Sequence, residues 1–521
     1  MSEVEYIVSL KRGVDADAFN QEMIASSGAA AIPNRTVDIA DARELSVRLT
    51  HYSLTAAEAE SLKADSRVVD VEIPPQDQDD VEIGHDSLQE ATFTKTTADS
   101  GDYRDWGKIR HSYPGNVYGA GSTTSLNFPY ALDGTGVDVV IQDSGIQVDH
   151  PEFNDANGAS RVQLLDWGQY SGSVTQSANH YRDYDGHGTH CAGTAVGLNF
   201  GWGKNARIYS QKLSGLEGSG DSGTGISITY AFDVITAWHN AKPIDPITGV
   251  KRPTIVNMSW GYSSGYTPSN VSAFSYRGVT YNSGNDSNLL NAANQLSTYG
   301  FYQYITSSGY RVPLRVSSVD TNIQEMIDAG IHVCVAAGNN RFKADLSDGL
   351  DYNNTVSTPN IRSYHRGSSP TDDEAISVGS LGYAVGSLTE ETKSLFSTTG
   401  PGVDIYAAGE YIISATSTTN KFGAPSYYGN ASFKQTNISG TSMASPQVCG
   451  LGALHLQANP HWTPAQLKDR LTKDAEARLQ DGGLTAYSTH TNIMGGNNRI
   501  MLSRYANAVP FSSNVTGLKK R

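Results

Sequence analysis

Cysteine is nearly absent from the chain: three residues in 521, at Cys191, Cys334 and Cys449. An odd number leaves at least one thiol without a partner, so a disulfide-stapled scaffold is excluded. Positive charge is also short. Against 53 Asp and Glu stand 38 Lys and Arg, a net charge of −15, with the two signs interspersed. That balance excludes the basic stripe that a nucleic-acid or anionic-membrane surface needs, so neither partner is expected. No apolar run reaches the length of a bilayer span. The first residues, Met1-Ser2-Glu3-Val4-Glu5-Tyr6, lack the basic and apolar regions of a secretory signal peptide. The expectation from this start is a protein that stays in the cytoplasm or travels in a virus particle, with export by a non-classical route as the alternative. Repeats and low-complexity tracts are missing too. What remains is an ordinary globular composition, long enough for about two to four domains.

Residues 1–80 read as a small unit with its own core. A strand at 6–10, a helix at 15–25 with Phe19, Met23 and Ile24 inward, alternation at Leu45, Val47 and Leu49, a helix opened by the capping box Thr55-Ala56-Ala57-Glu58, and a strand at 68–73 make a split β-α-β pattern. Pro74 and Pro75 end it. Residues 81–102 read as a linker. From 103 to 505 a longer pattern alternates strand and helix: strands at 137–142, 208–213, 254–258 and 332–336, helices at 187–198, 226–240 and 322–329. This predicts an α/β fold, a mostly parallel, doubly wound sheet flanked by helices. Sites in such sheets lie beyond the carboxyl ends of the strands. A Tyr-, Ser- and Asn-rich insertion occupies about 262–319, and 506–521 reads as a solvated tail.

Four residues carry chemistry. Ser442 stands where a small-residue turn, Asn437-Ile438-Ser439-Gly440-Thr441, runs into a long apolar helix whose free N–H groups favour negative charge. Pro446 is expected within the first turn, where it forfeits little hydrogen bonding. His187 lies between Gly186 and Gly188, Asp143 ends a β-branched strand, and Asn339 follows Ala336-Ala337-Gly338. Amide hydrolysis needs a nucleophile, a base, a group that orients the base, and donors for the oxyanion. Ser442, His187, Asp143 and Asn339 supply those parts, with the backbone N–H of Ser442 as a second oxyanion donor.

Asp143-Ser144-Gly145, His187-Gly188-Thr189-His190-Cys191-Ala192-Gly193 and Gly440-Thr441-Ser442-Met443-Ala444-Ser445-Pro446 resemble the three active-site motifs of subtilisin-like serine peptidases, in that family's order. Cys191 beside the histidine looks like the proteinase K branch. The resemblance implies a catalytic domain over 103–505 that hydrolyses peptide bonds of polypeptide substrates, with His187 catalytic and His190 a packing residue. It also implies that residues 1–80 are an inhibitory and chaperoning prodomain, the chain's own intramolecular inhibitor, removed by self-cleavage between Gln76 and Glu90. Substrate would pair as an added strand with Ser259, Trp260 and Gly261 on one side and Gly218, Ser219 and Gly220 on the other, with Gly338 beside it. No cofactor is implied for catalysis. A structural calcium is allowed, although residues 197–203 are too short for the family's inserted loop while Glu152 keeps its acidic position.

Two other classes stand beside this reading. A zinc hydrolase would use His187, His190 and Asp183 or Asp185, but the metalloprotease spacing and its glutamate are absent. A non-enzymatic structural or binding protein on the same fold would keep its prodomain uncleaved. Cys191 as a nucleophile is disfavoured, since burial in a helix of small residues raises its pKa.

Overall fold

The computed structural model describes residues 3–25, 33–43, 45–78, 81–84, 88–89, 106–115, 130–171, 176–221, 223, 226–266, 271–282, 299–300, 310–358, 360–383, 391–481 and 492–505. The expected tail at 506–521, most of the linker and part of the insertion lie outside them. Among the described residues no helix is long and apolar enough to cross a membrane.

The organising element is a nine-stranded sheet. From one edge to the other it runs Glu476–Ala477, Arg499–Ile500, Ile405–Ala408, Ile376–Leu381, His332–Ala336, Thr254–Met258, Asp138–Asp143, Arg207–Lys212 and Val162–Leu164. All neighbours are parallel except the short pair at the first edge. The interior strands are buried on both faces, as parallel strands covered by helices are. One face packs the helices His187–Val196 and Thr441–Ala458 through Ala192, Val196, Val448 and Leu451; the other packs Ile228–Ala241 and Ser317–Asp328 through Phe232, Ile235, Ile323 and Met326. The first strand, Asp138–Asp143, sits mid-sheet. The chain builds outward from it on one side, then returns to lay Thr254–Met258 along its other flank. That reversal opens a crevice at the carboxyl ends of these two strands, and both Asp143 and Ser259 stand there.

The N-terminal residues form a separate four-stranded sheet ordered Ile39–Asp41, Leu49–Leu54, Val4–Leu10, Val68–Glu72, with two helices covering a core of Val8, Phe19, Met23, Tyr52 and Leu62. The Thr55 capping box forms as expected. Two expectations are corrected. The strand starts at Leu49, and Val47 is 69% exposed because the backbone N–H of Val47 and the Ser46 hydroxyl turn outward to bond Glu325. Ile24 is 38% exposed, since the helix ends at that residue before its side chain can reach the sheet.

This unit docks on the helices Ile228–Ala241 and Ser317–Asp328. Arg43 is buried in a bidentate ion pair with Asp233. Its left-handed φ of +49°, costly for a side chain of this size, is held by that pair. Glu72 accepts from the backbone N–H groups of Ser317 and Ser318 and so caps the second helix. Beyond the unit, strand Val81–Gly84 joins the edge of Gly261–Tyr266, and Leu88–Gln89 joins the end of Asn430–Ser439. The insertion contributes Tyr310–Pro313 to the other edge of Gly261–Tyr266, and a hairpin, Ala273–Tyr276 with Val279–Asn282, over a small core of its own.

Candidate active site

Asp143 ends its strand with its side chain wholly buried, and its Oδ1 accepts from the backbone N–H of Ser144 at 2.7 Å and from His187 Nδ1 at 2.8 Å. His187 opens its helix. Burial, helped by the positive charge of Lys421, holds its pKa well below the usual histidine range, so the ring is neutral at rest. A neutral ring that donates from Nδ1 keeps Nε2 as the basic atom.

The two motifs are pressed together by glycine. A Cβ on Gly188 would lie 2.2 Å from the carbonyl oxygen of Gly145, which no side chain tolerates. Asp183 then ties the loops: it accepts from Ser144 Oγ at 2.9 Å, from the N–H groups of Asp185 and Gly186, and from the hydroxyl and N–H of Thr189. Ser144 Oγ in turn accepts from the Gly188 N–H at 2.9 Å.

Ser442 lies at the second position of the helix Thr441–Ala458, 2% exposed, and its hydroxyl donates to the Ser259 carbonyl oxygen at 3.1 Å. The expectation about Pro446 is corrected here. The proline sits inside the helix, four residues after Ser442, and its missing N–H releases the Ser442 carbonyl from the helical ladder. That carbonyl instead accepts from Ser259 Oγ at 2.9 Å and Cys191 Sγ at 3.5 Å. Ser445, Asn257 and Ser259 form a relay of side-chain hydrogen bonds to the same carbonyl. Cys191 Sγ also lies 3.8 Å from His187 Nδ1, so one thiol touches both the histidine and the serine. Burial raises that thiol's pKa far above normal, the reverse of what a cysteine nucleophile needs.

Asn339 has its orientation fixed from the serine helix. Its Oδ1 accepts from the Thr441 N–H at 2.8 Å and the Thr441 hydroxyl at 2.9 Å, which leaves the amide NH2 pointing elsewhere. Ser259, Trp260, Gly261 and Gly338 line one pocket together with Asn339 and Ser442. Gly218 packs on the backbone of Tyr184 and Asp185, just before His187, while Ser219 and Gly220 are exposed. In the described ladders strand Val81–Gly84 pairs with the Gly261 side alone. Ser144, Asp183, Thr441 and Arg311, which reaches the same pocket from the insertion, carried no spacing signal in the sequence. Ser144 and Thr441 could have been suspected, as hydroxyls inside the motifs, and Asp183 enters the sequence reading only as a zinc candidate.

The zinc set does not assemble. His190 Nε2 donates to the carbonyl of Ile412, burial drops its pKa to about 3, and Asp183 is taken by its own loop. Among the described residues, the group of His, Cys and carboxylate ligand atoms within 4.8 Å of one another is Asp143, His187 and Cys191, the centre itself. The loop after the histidine helix does not fit calcium either. Glu152 is saturated by Asn199, Phe200 and Tyr427, and the carbonyl oxygens of Leu198 and Asn199 accept from the ammonium groups of Lys204 and Lys108. Two lysines stand where a cation would collect those oxygens.

The family model described as the subtilase family matches residues 134–490. The chain is 26% identical over 81% of its length, and 73% of the relative's, to a protein named cuticle-degrading serine protease from Arthrobotrys oligospora. It is 28% identical over 75% of its length, and 60% of the relative's, to alkaline protease 2 of Aspergillus fumigatus. Among solved structures, fervidolysin from Fervidobacterium pennivorans aligns with a TM-score of 0.49 and 16% identity over 97% of this chain and 61% of that one. The expected cytoplasmic or virion location is corrected by these relatives: a cuticle-degrading enzyme acts on material outside the cell that makes it, which points to export.

Proposed function

The chain belongs to the subtilase family, and from that membership we propose that it is a serine endopeptidase made as an autoinhibited precursor, with Asp143, His187 and Ser442 as its triad and Asn339 as the oxyanion donor. Ser442 Oγ, turned from the Ser259 carbonyl toward His187 Nε2, gives up its proton to the ring as it attacks the scissile carbonyl carbon. Asp143, on the far nitrogen, fixes the tautomer and stabilises the imidazolium. The oxyanion takes hydrogen bonds from the Asn339 amide and the Ser442 N–H. His187 then passes its proton to the leaving amine, and water, activated by the same ring, releases the acyl group from Ser442. Polypeptides are the substrates. The observation that carries this reading is the buried 2.8 Å contact between His187 and Asp143, with Cys191 touching both the ring and the serine backbone.

The precursor reading rests on register. Gly84 lies opposite Gly261, and Leu88 opposite Ser439. Gly261 lies two residues after Ser259, whose carbonyl holds the Ser442 hydroxyl, and Ser439 lies three residues before Ser442, so the two described ladders flank the serine on either side. The bond to be cut therefore falls between Gly84 and Leu88, and the N-terminal unit is the inhibitor that delivers it.

A fluorophosphonate should label Ser442 and stop peptide cleavage; cleavage that persists after complete labelling excludes the mechanism. By analogy with subtilisin, where such losses are measured, Ser442→Ala should cost about a millionfold in turnover and Asn339→Gly about a hundred- to thousandfold. An inert protein on this fold would leave Ser442 unlabelled.

A further inference from the structure

We propose that the cleft selects acidic polypeptide segments and that Arg311 recognises them, an inference that rests on the endopeptidase reading above. Among the described residues lining the pocket that contains Ser442 and Asn339, Arg311 alone carries a formal charge. The insertion puts it there. Strand Tyr310–Pro313 runs antiparallel to Gly261–Tyr266 with Gly265 opposite Arg311 and Ser263 opposite Pro313, so these four residues share a face. Val312, on the other face, is buried against Phe342 and Val356 and fixes which way the strand is turned. Along the shared face the cleft strand offers Gly261, Ser263 and Gly265, and a Cβ on Gly265 would meet nothing within 4 Å. At Gly265, directly opposite Arg311, that face is open.

The chain's own cleft segment has matching chemistry. Glu82 lies opposite Ser263, which is flanked on its other side by Pro313, and Gly84 lies opposite Gly261. Position 82, which shares the alternation of Gly84, is acidic in the sequence, Glu82. A foreign polypeptide that takes this edge presents alternate side chains to the same face, and an arginine fork meets a carboxylate there through paired charge-assisted hydrogen bonds. Such a contact is worth about ten- to hundredfold in kcat/KM.

The test uses fluorogenic peptides of sequence 81–88: the native one, one with Glu82 changed to Gln, and one with Glu82 changed to Lys. The wild-type enzyme should cleave the native peptide about ten- to hundredfold faster than the amide form and faster still than the lysine form, and Arg311→Glu should reverse the order of the acidic and lysine peptides. Equal cleavage of all peptides by the wild type, or an acidic preference that survives Arg311→Glu, overturns the inference and leaves the endopeptidase reading intact. Failure to cleave any of them, with Ser442 unlabelled by the phosphonate, removes that reading and this inference with it.

Discussion

At the scale of single residues, the roles depend on groups whose only job is to occupy the wrong end of a functional side chain. Asn339 can donate to an oxyanion because Thr441 holds its oxygen through two hydrogen bonds. Replacing Thr441 by Val removes one of them, so kcat should fall roughly five- to tenfold with KM little changed; steady-state kinetics that show an unchanged kcat would contradict this. The Ser442 carbonyl is available to Ser259 because Pro446 cannot claim it. The sequence pointed to Ser442, His187, Asp143 and Asn339 because the proposed nucleophile, base and donors stand in distinctive small-residue motifs. It did not announce the tie that Asp183 makes between the loops or the Thr441 contact, since a hydrogen bond to a backbone N–H or a neighbouring amide leaves no periodicity. The proline misled for a related reason: its helical position, not its presence, decides which carbonyl is freed.

At the scale of elements, alternating strands and helices were readable from periods of hydrophobicity, because parallel strands buried on both faces are continuous β-branched runs. Leu45 and Val47 were misassigned because alternation cannot tell a strand from a loop that lends its polar groups to a neighbouring helix. The docking of the N-terminal unit is where charge matters. Burial raises the pKa of Glu72 and of Glu325 to about 7 each, and that of Asp233 above normal. Around them stand Asp70, Arg43 and Arg48. A carboxyl whose docked pKa exceeds its free value near 4.5 favours docking at low pH, with the contribution full below about 4.5 and lost as pH rises through about 7. Glu72 and Glu325 each contribute about 3 kcal/mol at most. In the full chain carrying Ser442→Ala, the protection factors for hydrogen exchange across residues 39–72, with the intrinsic base-catalysed rate divided out, should therefore be higher at pH 5 than at pH 8, and Glu72→Gln should flatten the difference. Protection that rises with pH would reverse the sign argued here. Arg43→Ala strands Asp233 in the interface and should weaken docking by about 3–5 kcal/mol, read as accelerated exchange in the same segment.

At the scale of the whole molecule, one crevice at a topological reversal gathers strand ends that are far apart in sequence: Asp143, Ser259 and Asn339, with the serine helix closing over them. The insertion and the segment after the N-terminal unit both attach to the strand Gly261–Tyr266, on opposite edges. The attachment of the insertion left no signal in the sequence, because edge pairing is set by backbone and not by side-chain type; that of the segment after the N-terminal unit is what the family resemblance implies, with self-cleavage between Gln76 and Glu90 and an added strand at Gly261. On the proposed reading the chain is its own first substrate. The most direct measurement is the N-terminal sequence of the purified wild-type protein beside that of Ser442→Ala. The account predicts a new N-terminus between His85 and Leu88 in the wild type and an uncut chain in the variant. The same new terminus in both proteins, or an uncut wild type under conditions where the variant is equally folded, would contradict it.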